Sequence, residues 1–206
     1  MIALNRARHD GPANLLAEIA DELRSGTSLL AELLGTASSE RPSHREDLLS
    51  LEGRAMDKHL ALMTQIRSVF LTPIPREDIY AISSGLNRAM EHLVAVGDLL
   101  ISRSGLALPE QAHQQLEIAD RQVELTASAL RRLDDLDHLE EYWSQTQRLT
   151  KQANRGHREW FTSTDGTLQP GVALQHAELS SEILAAVHAL RDDVATVCGS
   201  IVVRES

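Results

Sequence analysis

Two pairs of carboxylates on predicted helices are candidate ligands for a metal ion. Glu18 and Asp21 lie three positions apart, and so do Glu117 and Asp120. Side chains at this spacing share one face of a helix, so each pair could supply oxygen ligands to a cation. The same spacing is ordinary for a helix face in contact with water, and we favour that interpretation for both pairs.

Sequence motifs of catalytic sites are missing. The chain has no glycine-rich phosphate loop of the Walker type, no nucleophile elbow and no catalytic pairing of cysteine with histidine. Cys198 is the single cysteine, which excludes an internal disulfide framework and any multi-cysteine zinc or iron–sulfur site. We therefore predict a protein that is not an enzyme and that resides in a reducing compartment.

Composition predicts a helical protein with a net negative charge. Of the 206 residues, 42% are hydrophobic but only 3% are aromatic, so aliphatic side chains at helical spacing must fill the core. The net charge of −10 repels the nucleic-acid backbone, so nucleic acid is not expected as a partner. The sequence shows no secretory signal and no run of about 20 apolar residues. We expect a cytoplasmic protein that inserts no segment into a membrane and reaches one only through a partner.

Apolar residues at three- and four-residue steps predict six helices in a single domain, 1–206. The helices are expected near residues 14–34, 43–69, 75–104, 109–130, 137–161 and 172–202, with a tight connector at 70–75. Ser43 with Glu46 predicts a capping box at the start of helix two, Pro75 suits the first position of helix three, and Gly105 is placed to end it. The expected architecture is an all-α, up-and-down six-helix bundle.

The two halves of the chain echo each other faintly. The run from Ala55 to His59 on helix two resembles the run from Ala153 to His157 on helix five, since both begin with alanine and end with histidine. One interpretation is a duplication of three helices, with repeats at 10–105 and 106–206. The other is chance similarity between alanine-rich helices, and the sequence leaves both open.

The ten residues from Phe70 to Ile79 carry a resemblance to a known family. They read Phe-Leu-Thr-Pro-Ile-Pro-Arg-Glu-Asp-Ile, which combines an aromatic residue, a Thr-Pro step and an acidic helix start. This run resembles the signature of the PhoU-like proteins encoded beside Pit-type inorganic phosphate transporters, and the six-helix layout extends the resemblance over essentially the whole chain. The resemblance implies an elongated bundle of two three-helix repeats, with Glu-x-x-x-Asp motifs that bind iron or zinc clusters.

In this sequence the acidic motifs implied by the resemblance are incomplete. Glu52 stands at the first acidic position but Met56 replaces the expected aspartate, and Asn87 and Glu91 form the corresponding pair on helix three. The positions of the second site hold Thr150, Asn154, Ala185 and Ala189. A divalent cation needs several charged oxygens or imidazoles, so the resemblance implies at most a weak metal site at Glu52, Asn87 and Glu91, and we expect no other cofactor.

His59 and His92 could complete a substitute metal site with these residues if helices two and three pack antiparallel across the proline turn. The alternative is that both histidines are polar residues on helix flanks. We favour the alternative because no His-x-x-x-His or Glu-x-x-His spacing pairs them.

Two charged stretches could contact a partner. Arg76, Glu77 and Asp78 could form an exposed recognition surface, or their two carboxylates could simply complement the positive end of helix three. A basic stripe on helix five could meet an anionic partner or could be a solvated face, and it consists of Arg148, Lys151, Arg155 and Arg158.

The resemblance implies a non-enzymatic accessory protein of inorganic phosphate transport. Such a protein would bind a phosphate permease or its signalling partner at the cytoplasmic side, and so lie at the periphery of the membrane. Two alternatives remain open: a metal-binding helical protein with a degenerate cluster site, and a structural helical adaptor. In the second, an apolar stripe on the outer helices would join two copies into a homodimer.

Overall fold

The computed structural model describes residues 11–37, 39–72, 74–102, 108–162 and 169–205, and these residues contain helices and no strand. The helices are α1 (Pro12–Gly35), α2 (Arg45–Ser68), α3 (Arg76–Ser102), α4 (Glu110–Leu130), α5 (Leu136–Thr162), α6 (Pro170–Ala189) and α7 (Thr196–Glu205). A π-helical turn, Leu190–Ala195, joins α6 to α7 without a break, because the junction residues keep helical backbone angles. The last two helices therefore form one rod, which confirms the predicted all-α fold of six rods.

Successive rods run in opposite directions. The start of α2 lies beside the end of α3, where Arg45 Nη1 is 3.0 Å from Asp98 Oδ1. The start of α3 lies beside the end of α7, where Arg204 pairs with Asp78. One end of the bundle therefore holds the α2–α3 connection, the α4–α5 connection and the end of α7, and we call it the α2–α3 end.

Aliphatic side chains fill the core, as the composition predicts. Leu16, Ile19, Leu23 and Leu30 of α1 are fully buried, since this helix packs against α2, α3 and α4. Burying one such side chain contributes about 1.5–3 kcal/mol to folding. The apolar stripe of α1 therefore joins the first three rods to the fourth.

The π turn between α6 and α7 packs over Gly85 of α3. A Cβ atom at position 85 would lie 2.5 Å from Asp193 Cβ and 3.0 Å from Val194 Cγ2. A π turn is wider than an α turn because it holds an extra residue, and glycine gives it room. Arg88 Nη1 reaches Asp193 Oδ2 at 2.7 Å across the same contact.

Three local predictions at helix ends differ from the structure or fall outside it. The prediction of a capping box is wrong, because Ser43 lies in a 3-10 turn (Arg41–His44). The Ser43 hydroxyl donates a hydrogen bond back to the Glu40 carbonyl oxygen at 2.7 Å. Pro75 precedes the first helical residue, and its carbonyl oxygen accepts from the backbone N–H of Asp78 at 3.0 Å. Gly105 lies outside the described residues.

Candidate functional site

The α2–α3 connection exposes two large apolar side chains. Phe70 is 93% exposed and Leu71 is 80% exposed. Tyr80, on the first turns of α3, is also exposed. Single exposed apolar residues are common on proteins, whereas large contiguous apolar patches mark sites where another molecule binds, so these neighbouring side chains are a candidate binding site. This connection is part of the run that carries the family resemblance.

Contacts on both sides fix the position of the connection. Val69 donates its backbone N–H to the Gln65 carbonyl oxygen at 3.1 Å, so the chain leaves α2 in a defined direction. Arg76 Nη2 donates to the Val69 carbonyl oxygen at 2.7 Å, and Ile74 is buried against the core. These contacts hold the ends of the connection on the bundle while Phe70 and Leu71 project into water.

The predicted recognition surface at the start of α3 divides into two parts. Arg76 and Glu77 are exposed, beside the apolar side chains of the connection. Asp78 is buried and pairs with Arg204, and this ion pair joins the start of α3 to the end of α7. Asp78 thus holds two rods together, and the exposed charges of the stretch are Arg76 and Glu77.

A second apolar surface adjoins the same end. Trp143 of α5 and Val203 of α7 are 41% and 80% exposed, and they line a groove whose edges carry Glu140 and Arg204. A Cβ atom at Gly199 would lie 2.8 Å from Trp143 Cδ1, so the indole lies directly on the backbone of α7. We call Phe70, Leu71 and Tyr80 together the apolar end surface, and the groove at Trp143 and Val203 the α5–α7 groove.

The residues of the predicted metal site lie on neighbouring helices but differ in exposure. Glu52 on α2 is half-buried, Asn87 on α3 is buried, and Glu91 one turn further along α3 is exposed. Among the described residues, no group of three or more His, Cys, Asp or Glu side chains is arranged to hold a metal ion. The site stays a prediction that rests on the resemblance.

His59 and His92 contact different partners. His59 Nδ1 lies 2.7 Å from the Ser83 hydroxyl, whereas His92 Nδ1 lies 2.8 Å from Glu182 Oε2 of α6. Ser83 and His92 are nine residues apart on α3, which is a rise of about 14 Å. The two imidazoles therefore do not converge on one ion. Burial lowers the pKa of His59, which favours its neutral form.

In the second half of the chain, hydrogen bonds occupy the positions that the resemblance assigns to a second metal site. Asn154 Nδ2 lies 2.8 Å from the Thr150 carbonyl oxygen and 3.1 Å from His188 Nε2. His157 Nδ1 lies 2.8 Å from the Ser180 hydroxyl. Burial, followed by nearby arginine side chains, lowers the pKa of His157 and of His188. These imidazoles are therefore neutral hydrogen-bonding groups near pH 7.

The similarity between the two halves of the sequence extends to these histidine contacts. His59 on α2 contacts Ser83 on α3, and His157 on α5 contacts Ser180 on α6, so each histidine reaches a serine on the next rod. Duplication of a three-helix unit stays a prediction.

The remaining charged candidates are paired within the bundle or face opposite charges. Arg131 pairs with Asp21, and Asp120 accepts a hydrogen bond from Thr27 at 2.5 Å. The groove beside the basic stripe of α5 is also lined by Glu117 and Glu159. These features agree with solvated helix faces.

Sequence reasoning missed the groove between α5 and α7. The helical spacing of Trp143 predicts a core or interface position, but it does not indicate that Val203, on another rod, lines the same groove. The only local signal was the apolar run Ile201-Val202-Val203, which is too continuous for one buried helix face.

None of the helices in the described ranges is long and apolar enough to cross a bilayer. No protein-family model matches the sequence, and no curated protein matches it.

Solved structures share the fold. A PhoU-like protein from Shewanella oneidensis MR-1 superposes with a TM-score of 0.79 at 14% sequence identity, over 94% of this chain and 100% of that chain. A second protein from the same organism, described as a PhoU-like phosphate regulatory protein, gives a TM-score of 0.69 at 15% identity, over 95% of this chain and 97% of that chain. This chain therefore has the fold of the PhoU-like proteins.

Proposed function

We propose that this protein is a non-enzymatic regulator of inorganic phosphate transport. It binds a Pit-type phosphate permease, or a signalling protein associated with one, at the cytoplasmic side. Two similarities support the proposal: the run Phe70 to Ile79 resembles the signature of the accessory proteins, and a solved structure with this fold is described as phosphate regulatory.

The exposure of Phe70 and Leu71 is the main observation that supports a binding role. Both side chains face water although they belong to the run that resembles the family signature. Burying a side chain of this size in a complex gains about 1.5–3 kcal/mol, so these two residues can act as anchors for a partner.

The net charge of the chain supports the proposal that the segment it binds is a cytoplasmic loop of a membrane protein. Such loops carry an excess of lysine and arginine. The net charge of this chain is −10, which attracts a basic segment from a distance. The apolar end surface would then take the apolar side chains of that segment, with the exposed Glu77 available to its basic residues.

Complementation of a deletion strain tests the proposal. We expect deletion of the gene to alter phosphate uptake and phosphate-responsive expression, and the wild-type gene to restore both. A Phe70→Ser, Leu71→Ser variant should fold normally, because both side chains are exposed, yet fail to restore regulation. Leu174→Ser is the matched control, since Leu174 is 68% exposed on α6, and it should complement fully. Unchanged phosphate uptake in the deletion strain would refute the proposal.

A further inference from the structure

The outer face of α2 carries an apolar stripe that the bundle does not cover. Leu49, Met56 and Leu60 are 52%, 41% and 55% exposed. Together with Gly53 they lie within about 60° of one another around the helix axis, on the side away from the core. We call these four residues the α2 seam.

Among the residues that the structure describes, no packing contact explains the glycine at position 53. A Cβ atom built at this position meets nothing within 4 Å, whereas a Cβ atom at Gly85 or at Gly97 would clash with a neighbouring side chain. Glycine in a helix interior costs roughly 0.5–1 kcal/mol relative to alanine. The bundle gains no packing in return, so the close approach that Gly53 allows is open to a group from outside the chain.

The long charged side chains beside the α2 seam point away from it and do not cover its apolar residues. Arg54 and Lys58 of α2 turn towards α1, where Arg54 Nη2 lies 2.9 Å from Glu22 Oε2 and Lys58 pairs with the same carboxylate. At the two ends of the seam, Glu46 and Arg67 are exposed in line with it. They are 21 residues apart, about 32 Å along the helix.

We propose that the α2 seam binds the α2 seam of a second copy of this chain, in an antiparallel pair with two-fold symmetry. The charges favour this occupant. The midpoint between Glu46 and Arg67 lies between Met56 and Asp57, so a two-fold axis there places each Glu46 opposite the Arg67 of the other copy.

The same two-fold axis also places a large side chain of one copy opposite a glycine of the other. Gly53 and Leu60 are equally far from the midpoint, so the Leu60 side chain of each copy lies opposite the Gly53 of the other. A large side chain then fills the space that glycine leaves, and this happens twice. One contact is unfavourable, because the two Asp57 carboxylates come close to each other at the edge of the interface.

Sedimentation equilibrium over a range of protein concentrations tests the pairing. Leu60→Glu should raise the dissociation constant of the dimer by about tenfold at each of the two equivalent contacts, about a hundredfold in all. Leu174→Glu replaces a similarly exposed leucine on α6 and should leave the dissociation constant unchanged. A wild-type chain that stays monomeric would overturn the proposal and leave the seam to a helix of a different protein.

Charge variants test the orientation. Glu46→Arg should weaken the dimer because it places a second positive charge opposite Arg67 at both ends of the seam. The double variant Glu46→Arg, Arg67→Glu should restore the dimer. Asp57→Asn should tighten it by removing the repulsion at the axis. A dimer that Leu60→Glu leaves intact, or that the double charge exchange does not restore, would contradict this antiparallel interface.

Discussion

Replacing Arg204 with alanine is expected to destabilise the protein more than replacing Asp78, although each change removes the same ion pair. The two partners differ in exposure, since the Asp78 side chain is 10% exposed and the Arg204 side chain is 43% exposed. Loss of Arg204 leaves a carboxylate inside the bundle without its cation. Loss of Asp78 leaves a guanidinium that can turn into water.

The different exposure of the two side chains determines how much free energy of unfolding each substitution should cost. An unpaired buried acceptor costs about 1–3 kcal/mol, with charged groups towards the upper end, so Arg204→Ala should cost about 2–3 kcal/mol. An exposed ion pair contributes about 0–1 kcal/mol, and a carboxylate in the first turn of a helix adds about 0.3–1 kcal/mol. Asp78→Ala should therefore cost about 1 kcal/mol. The double variant should resemble Asp78→Ala, because it leaves no buried charge unpaired.

Urea unfolding followed by circular dichroism measures the free energy of unfolding of the three variants. Thermal melts give a second reading, because each kcal/mol shifts the melting temperature of a chain of this size by about 2–4 °C. Equal losses in the two single variants, or a larger loss for Asp78→Ala, would show that the burial of Asp78 does not determine the cost of breaking this ion pair. A double variant less stable than Arg204→Ala would show the same.

Three further predictions concern other parts of the bundle. Gly85→Ala should cost about 1–3 kcal/mol in urea unfolding, because the new Cβ would lie 2.5 Å from Asp193 Cβ; a wild-type free energy would show that the π turn can move away. Because folding lowers the pKa of His157 and His188 below 6.5, the stability that their neutral forms contribute is present above that pH and is lost as the pH falls through it. The melting temperature should therefore drop between about pH 7.5 and about pH 5.5, and should drop less when both histidines are replaced by glutamine. Elemental analysis of protein purified without chelators should find at most weakly held iron, zinc or manganese, which Glu52→Ala, Glu91→Ala should abolish; tight metal that the double variant keeps would refute the predicted ligands.

The sequence was sufficient to predict the rods, because their signals are local. Apolar spacing identified α1, and the prolines before α3 and α4 placed the starts of those helices within one or two residues. The capping box failed because Pro42 and Ser43 already belong to a 3-10 turn. The π turn left no local signal, since Val187, Leu190, Val194 and Cys198 keep the spacing of a regular helix.

The candidate site was predictable only in part, because it depends on which rods meet. The run Phe70 to Ile79 drew attention to this segment, whose function stays a prediction, but its sequence does not say that Phe70 faces water or that Asp78 is buried against Arg204. The groove at Trp143 depends on Gly199, a residue 56 positions away in the sequence. Contacts between distant rods are set by tertiary packing, which periodicity within one helix does not encode.

A photo-crosslinking amino acid placed at position 70 in living cells will show whether the apolar end surface binds a protein of phosphate transport. We predict that the crosslinked protein, identified by mass spectrometry, is an inorganic phosphate permease or a signalling protein associated with one. The same probe at position 174, on exposed α6 surface, should not capture it. Equal capture at both positions, or a partner at position 70 unconnected with phosphate, would show that this surface does not bind a protein of phosphate transport.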